Sequence, residues 1–149
     1  MTPESAADHA IRCTQVQTRL PIEVSEFGTV EIAAWLSVPE GAAGDILQVL
    51  VRGATYTHLH WDFPYLPETY SYVRWAERRS LATLAIDQLG AGESSRPPGE
   101  QVTNQKLAEA LHRVLQAARG TGIAGQRFNQ VVLIGHSAGS LASGLESYI

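Results

Sequence analysis

The sequence has one cysteine, Cys13, among 149 residues. A lone thiol closes no internal disulfide, and no grouping of Cys and His has zinc-ligand spacing, so neither cross-links nor a metal is expected, and no cofactor is implied. Basic residues are also scarce. Eleven Lys and Arg against 15 Asp and Glu leave a net charge of −4, and the eleven are scattered, which argues against nucleic acid or an acidic membrane surface as a partner. No stretch approaches the eighteen continuous apolar residues of a membrane helix. The opening MTPESAADHA lacks the basic patch and apolar run of a secretory signal, so a cytoplasmic location is expected. What remains is ordinary globular material: 44% of residues are hydrophobic, enough for the core of one domain.

Apolar patterning divides the chain into alternating elements. Residues 1–12 have no periodicity and are expected to form a mobile arm. Thr14 to Val24 and Thr29 to Val38 have strand character, with a turn at Phe27-Gly28 between them. After a loop from Pro39 to Gly44, the apolar run Ile46 to Val51 (ILQVLV) suits a strand covered on both faces. Residues 66–79 predict a helix, with Pro67 and Glu68 in its first turn and Arg78-Arg79 in its last. Its Arg74, Arg78 and Arg79 read as a solvated face. Leu81 to Ile86 is a further buried strand, and Leu107, Ala110, Leu111, Val114, Leu115 and Ala118 recur at helical spacing between Val102 and Arg119. On that helix His112 reads as a surface residue. Val131 to Ile134 is the last strand, with a helix from Ala138 onward. The order predicts an α/β fold: a mostly parallel sheet with an antiparallel start and helices on both faces.

The chemistry concentrates in Gly135-His136-Ser137-Ala138-Gly139, a G-x-S-x-G string between a buried strand and a helix. A turn that sharp forces the central residue into a strained conformation, and side chains two positions to either side would collide with neighbouring elements. The Ser137 hydroxyl then stands above the sheet, and the Ala138 N–H, at a helix N-terminus, faces the place where an oxyanion forms. The alternative is a glycine-rich turn that only lets the helix pack closely. Two other segments bear on the choice. Val51-Arg-Gly-Ala-Thr-Tyr56 leads into His58-Leu-His-Trp61 after the third strand, and Asp87 to Ser94 reads D-x-x-G-x-G-x-S after the fourth. The latter is no dinucleotide loop, because Ser95 stands where G-x-G-x-x-G needs its last glycine.

These three segments, in this order, resemble the α/β-hydrolase superfamily over residues 14–149. The resemblance implies that Ser137 is the nucleophile, that the N–H groups of Ala54 and Ala138 form the oxyanion hole, and that Asp87 is a structural turn residue. Members often carry His-Gly at the oxyanion turn, where this chain has Arg52-Gly53. A serine at the centre of the elbow points to acyl transfer, whereas members similar to epoxide hydrolases place Asp there. Tyr56, His58, His60, Trp61 and His136 are candidate pocket residues, with Trp61 as a wall and His136 expected to be buried or to sit behind the residues that touch substrate.

In such a fold the triad runs Ser, then Asp or Glu, then His. All five histidines precede Ser137, and the one acid after it, Glu146, lies about 13 Å further along the same helix. By the same likeness the last strand belongs mid-sheet, so its outer edge is expected to be unpaired. The expectation is an N-terminal portion of a serine hydrolase acting on a small-molecule acyl substrate. The complementing C-terminal half would supply the acid and histidine, from the same polypeptide or a second one. Two alternatives stand beside it: a non-catalytic scaffold that keeps the elbow for packing, and an unusual enzyme that uses His58 or His60 as its base.

Overall fold

A computed structural model describes residues 11–42 and 46–146. Five strands, β1 (Cys13–Val24), β2 (Gly28–Pro39), β3 (Ile46–Val51), β4 (Ala82–Ile86) and β5 (Gln130–Gly135), form one sheet in the order β1-β2-β4-β3-β5. β4, β3 and β5 are mutually parallel, while β2 runs antiparallel to both β1 and β4, so β2 alone is reversed. The α/β prediction therefore holds. The expected arm at residues 1–12 lies outside the described residues except for its end, where the Arg12 carbonyl accepts a bond from Glu40 N at 2.7 Å. Part of the Pro39–Gly44 loop lies outside them too.

Period-two alternation explains how the sheet is covered. Leu47, Val49 and Val51 of β3, with Ala82, Leu84 and Ile86 of β4, face the main core, and Leu50 and Ala85 face the opposite side. Over the main face lies α3 (Asn104–Arg119), which buries Ala110, Leu111, Val114, Leu115 and Ala118 at helical spacing. Each such Leu or Val contributes roughly 1.5–3 kcal/mol. The helix starts two residues later than its periodicity suggests because Thr103 caps it, accepting from Lys106 N at 3.3 Å. α4 (Ala138–Glu146) packs beside α3. His112 is not a free surface residue, since its Nδ1 lies 3.0 Å from Glu146 Oε1 and joins the two helices.

On the other face the predicted helix at 66–79 is broken into α1 (Pro67–Tyr70) and α2 (Tyr72–Glu77). Ser71 leaves the helical region with ψ 118°, and its Oγ accepts from Arg74 N and donates to Asp62. Val73 N bonds the Trp61 carbonyl at 3.1 Å, so the preceding loop is stitched into the break. Arg74 is partly exposed but not free in solvent. It pairs at 3.0 Å with the buried Glu77, whose other carboxylate oxygen accepts from Gln15 and Ser37, both at 2.7 Å. Arg78 pairs with Glu68 and Arg79 lies over the Trp75 ring. Glu77→Ala strands the buried Ser37 hydroxyl, and an expected loss of about 2–3 kcal/mol would appear as a lower urea midpoint. Arg74→Ala should cost less, because its side chain is 41% exposed and water replaces it.

The sheet is unevenly protected. Every residue of β4 is buried, whereas no residue of β5 is. β5 pairs only with β3 among the described residues, and Val132 is 47% exposed.

Candidate active site

The C-terminal ends of β3, β4 and β5 converge at one edge of the sheet, and their loops carry the three motif segments. β5 passes into α4 through an abrupt bend. Ser137 has φ +53°, the left-handed region that an L side chain enters at a cost of roughly 1–2 kcal/mol, and it is exposed. His136 N extends the β3–β5 pairing by bonding Val51 O at 3.0 Å, and Gly139 N and Ser140 N close the first helical turn onto His136 O and Ser137 O. The flanking glycines are sterically required. A Cβ at position 135 would stand 2.8 Å from the backbone of Ser140, and one at 139 would stand 2.4 Å from Val51 O and 2.6 Å from Arg52 O.

The turn after β3 reaches this bend. A Cβ on Gly53 would lie 3.0 Å from His136 Nδ1 and 3.4 Å from Ser137 Cβ, so the backbone at 53–54 runs alongside the serine. Neither Ala54 N–H nor Ala138 N–H donates to another group among the described residues. Two uncommitted amides thus belong to the segments that meet at the Ser137 side chain, as an oxyanion site requires.

The residues after Ala54 take different paths. Tyr56 and His60 line a cavity of about 650 Å³ with Thr55, Thr57, Leu59, Phe63, Tyr65 and Tyr70. His136 is exposed, not buried, and stacks on His60 with ring centroids 4.5 Å apart. Burial first, and repulsion from His136 second, hold the His60 imidazole below its ordinary range. Trp61 turns away from the cavity into the small core of Leu50, Val73 and Ala85, touching His60 only edge-on. His58 turns inward as well, stacking on Trp35 and lying 3.3 Å from Asp87 Oδ1. The aromatic contributors Phe63, Tyr65 and Tyr70 escaped sequence reasoning, although the aromatic density of Trp61 to Tyr70 signals them.

Asp87 is fully buried and ties these loops together. Its carboxylate accepts from His58 N at 2.6 Å and from Glu93 N at 2.9 Å, while its carbonyl accepts from the Ser94 hydroxyl. A Cβ at Gly92 would overlap the carboxylate at 1.9 Å, which explains the second glycine of D-x-x-G-x-G-x-S. Arg52 is 4% exposed beneath the turn after β3. Burial pushes its guanidinium below the usual range and the nearby Asp87 opposes this.

The profile of the Alpha/beta hydrolase family matches residues 48–147, and the chain belongs to that family. No curated protein sequence matches it. Among solved structures it is similar to a thioesterase domain from the curacin biosynthetic pathway, with 20% identity and a TM-score of 0.61, covering 91% of this chain and 40% of that one. An esterase of Pyrococcus furiosus shares 17% identity at a TM-score of 0.60, over 85% and 44% of the two chains. A Vigna radiata epoxide hydrolase variant shares 15% at 0.59, over 89% and 35%. At these identities the likeness is one of fold, and the chain spans less than half the length of each of these structures. Among the described residues no helix is long and apolar enough to cross a membrane.

Proposed function

We propose that this chain carries the nucleophile of a serine hydrolase that acts by acyl transfer on an ester, thioester or amide. The carrying observation is Ser137, held exposed at φ +53° beside segments with two uncommitted amides. Structures of similar fold include both esterases and epoxide hydrolases, so the fold does not choose the chemistry; the residue at the bend does. A serine there attacks a carbonyl carbon, its proton passes to a histidine, and the tetrahedral oxyanion is received by the N–H groups of Ala54 and Ala138. Collapse of that intermediate expels the alcohol, thiol or amine, and water then releases the acyl group. The aromatic cavity adjoining His136 suits an apolar substituent of the substrate.

In this reading the histidine and the acid come from outside the 149 residues, in a C-terminal portion or a second chain. Of the histidines near the bend, His58 is held by Asp87 and Trp35, and His60 and His136 stack on each other. A fluorophosphonate probe tests the proposal. Labelling of Ser137 in the full-length natural protein, with little in residues 1–149 alone, is the expected result; an unlabelled full-length protein overturns the proposal in favour of a non-catalytic scaffold. Strong labelling of residues 1–149, abolished by His60→Ala, would instead move the base inside the chain.

A further inference from the structure

The departure at the oxyanion turn, Arg52 in place of histidine, has a geometric consequence. One guanidinium nitrogen, Nη1, donates to two successive carbonyls of its own turn, those of Gly53 and of Ala54, the latter at 2.8 Å. In a trans peptide the C=O and N–H point in opposite directions. With the Gly53 carbonyl drawn down onto the buried guanidinium, the Ala54 N–H of the same peptide must point away from it. The main chain of Arg52 is fixed independently, because its carbonyl lies against α4 where Gly139 admits it.

We infer that Arg52 is a positioning residue that sets the orientation of the Gly53–Ala54 peptide, and through it the amide that receives the oxyanion. The inference rests on the serine-hydrolase reading for its kinetic consequence, not for its geometry. Two features distinguish the arrangement from simple charge burial. The guanidinium's hydrogen bonds go to the carbonyls of the turn itself, and Arg52 Nε is buried without a hydrogen-bond partner among the described residues. A side chain held for stability alone has no reason to leave a donor unpaired while spending its charge on the local peptide.

The test is Arg52→Met in the full-length protein, which keeps side-chain length and removes the donors. Turnover of an ester and the rate of Ser137 phosphonylation should both fall by about 10²–10³-fold, as when an oxyanion donor is lost, with KM changing less than about threefold. Arg52→Lys should recover at least tenfold, because an ammonium can still reach carbonyl oxygens; it also serves if Arg52→Met does not fold. Unchanged phosphonylation in Arg52→Met, or a loss found wholly in KM, overturns the inference and leaves the serine hydrolase standing. If the unaltered protein is not labelled at all, the hydrolase reading fails instead. The Ala54 N–H residual dipolar coupling then decides the role of Arg52: a reoriented amide in Arg52→Met supports it, and an unchanged one overturns it.

Discussion

Alanine in place of Gly139 is expected to destabilise the protein by about 3 kcal/mol or more, seen as a large drop in melting temperature. The added Cβ would lie 2.4 Å from Val51 O and 2.6 Å from Arg52 O. These are backbone atoms of the last residue of β3 and of the residue that follows it, so no rotamer change relieves the overlap. Either α4 moves away from the sheet or β3 shifts against β4 and β5, and both strands bear on the core. Gly144 is the internal control. It sits on the same helix with nothing within 4 Å of its added Cβ among the described residues, and alanine there should be neutral or slightly stabilising through helix propensity. Equal effects at the two positions would contradict the close-approach account.

Replacing Ser137 by glycine should move stability and activity in opposite directions. The residue sits at φ +53°, where glycine has no Cβ conflict, so the variant should gain about 1 kcal/mol of stability. Under the proposed serine-hydrolase function, turnover should fall by about 10⁶-fold, the loss typical of removing such a nucleophile, and fluorophosphonate labelling should vanish. Ser137→Ala separates the two contributions, since it removes the hydroxyl and keeps the strain: the same loss of activity is expected with almost no change in melting temperature. A gain in stability for alanine equal to that for glycine would mean that the bend carries no strain.

What could be read from the residues alone followed from how local the governing physics is. Strand positions were legible because β3 and β4 are near-continuous apolar runs, and the elbow because its steric demands fall on residues adjacent in sequence. The break at Ser71 was not legible: the periodicity of residues 66–79 continues through it, and the competing interactions come from Asp62 and Trp61 in the preceding loop. The tie of Arg74 was hidden because its partner Glu77 is held by hydrogen bonds from Gln15 and Ser37, residues distant in sequence. The candidate site divided the same way. Ser137, Ala138 and the glycines are local features, whereas the inward turn of His58 depends on Asp87, 29 positions away. His136 was expected to be buried or to sit behind the site because elbow neighbours usually point into a fold; it is exposed instead, with its ring against Gly53 and stacked on His60.

The buried carboxylate at position 87 gives the rim of the site a mechanical character. Because one side chain anchors the stretch beginning at His58 and the stretch ending at Ser94, the two cannot loosen separately. Their amide protons at His58 and Glu93 should exchange with solvent at a common rate, as the ends of a single hinged flap would.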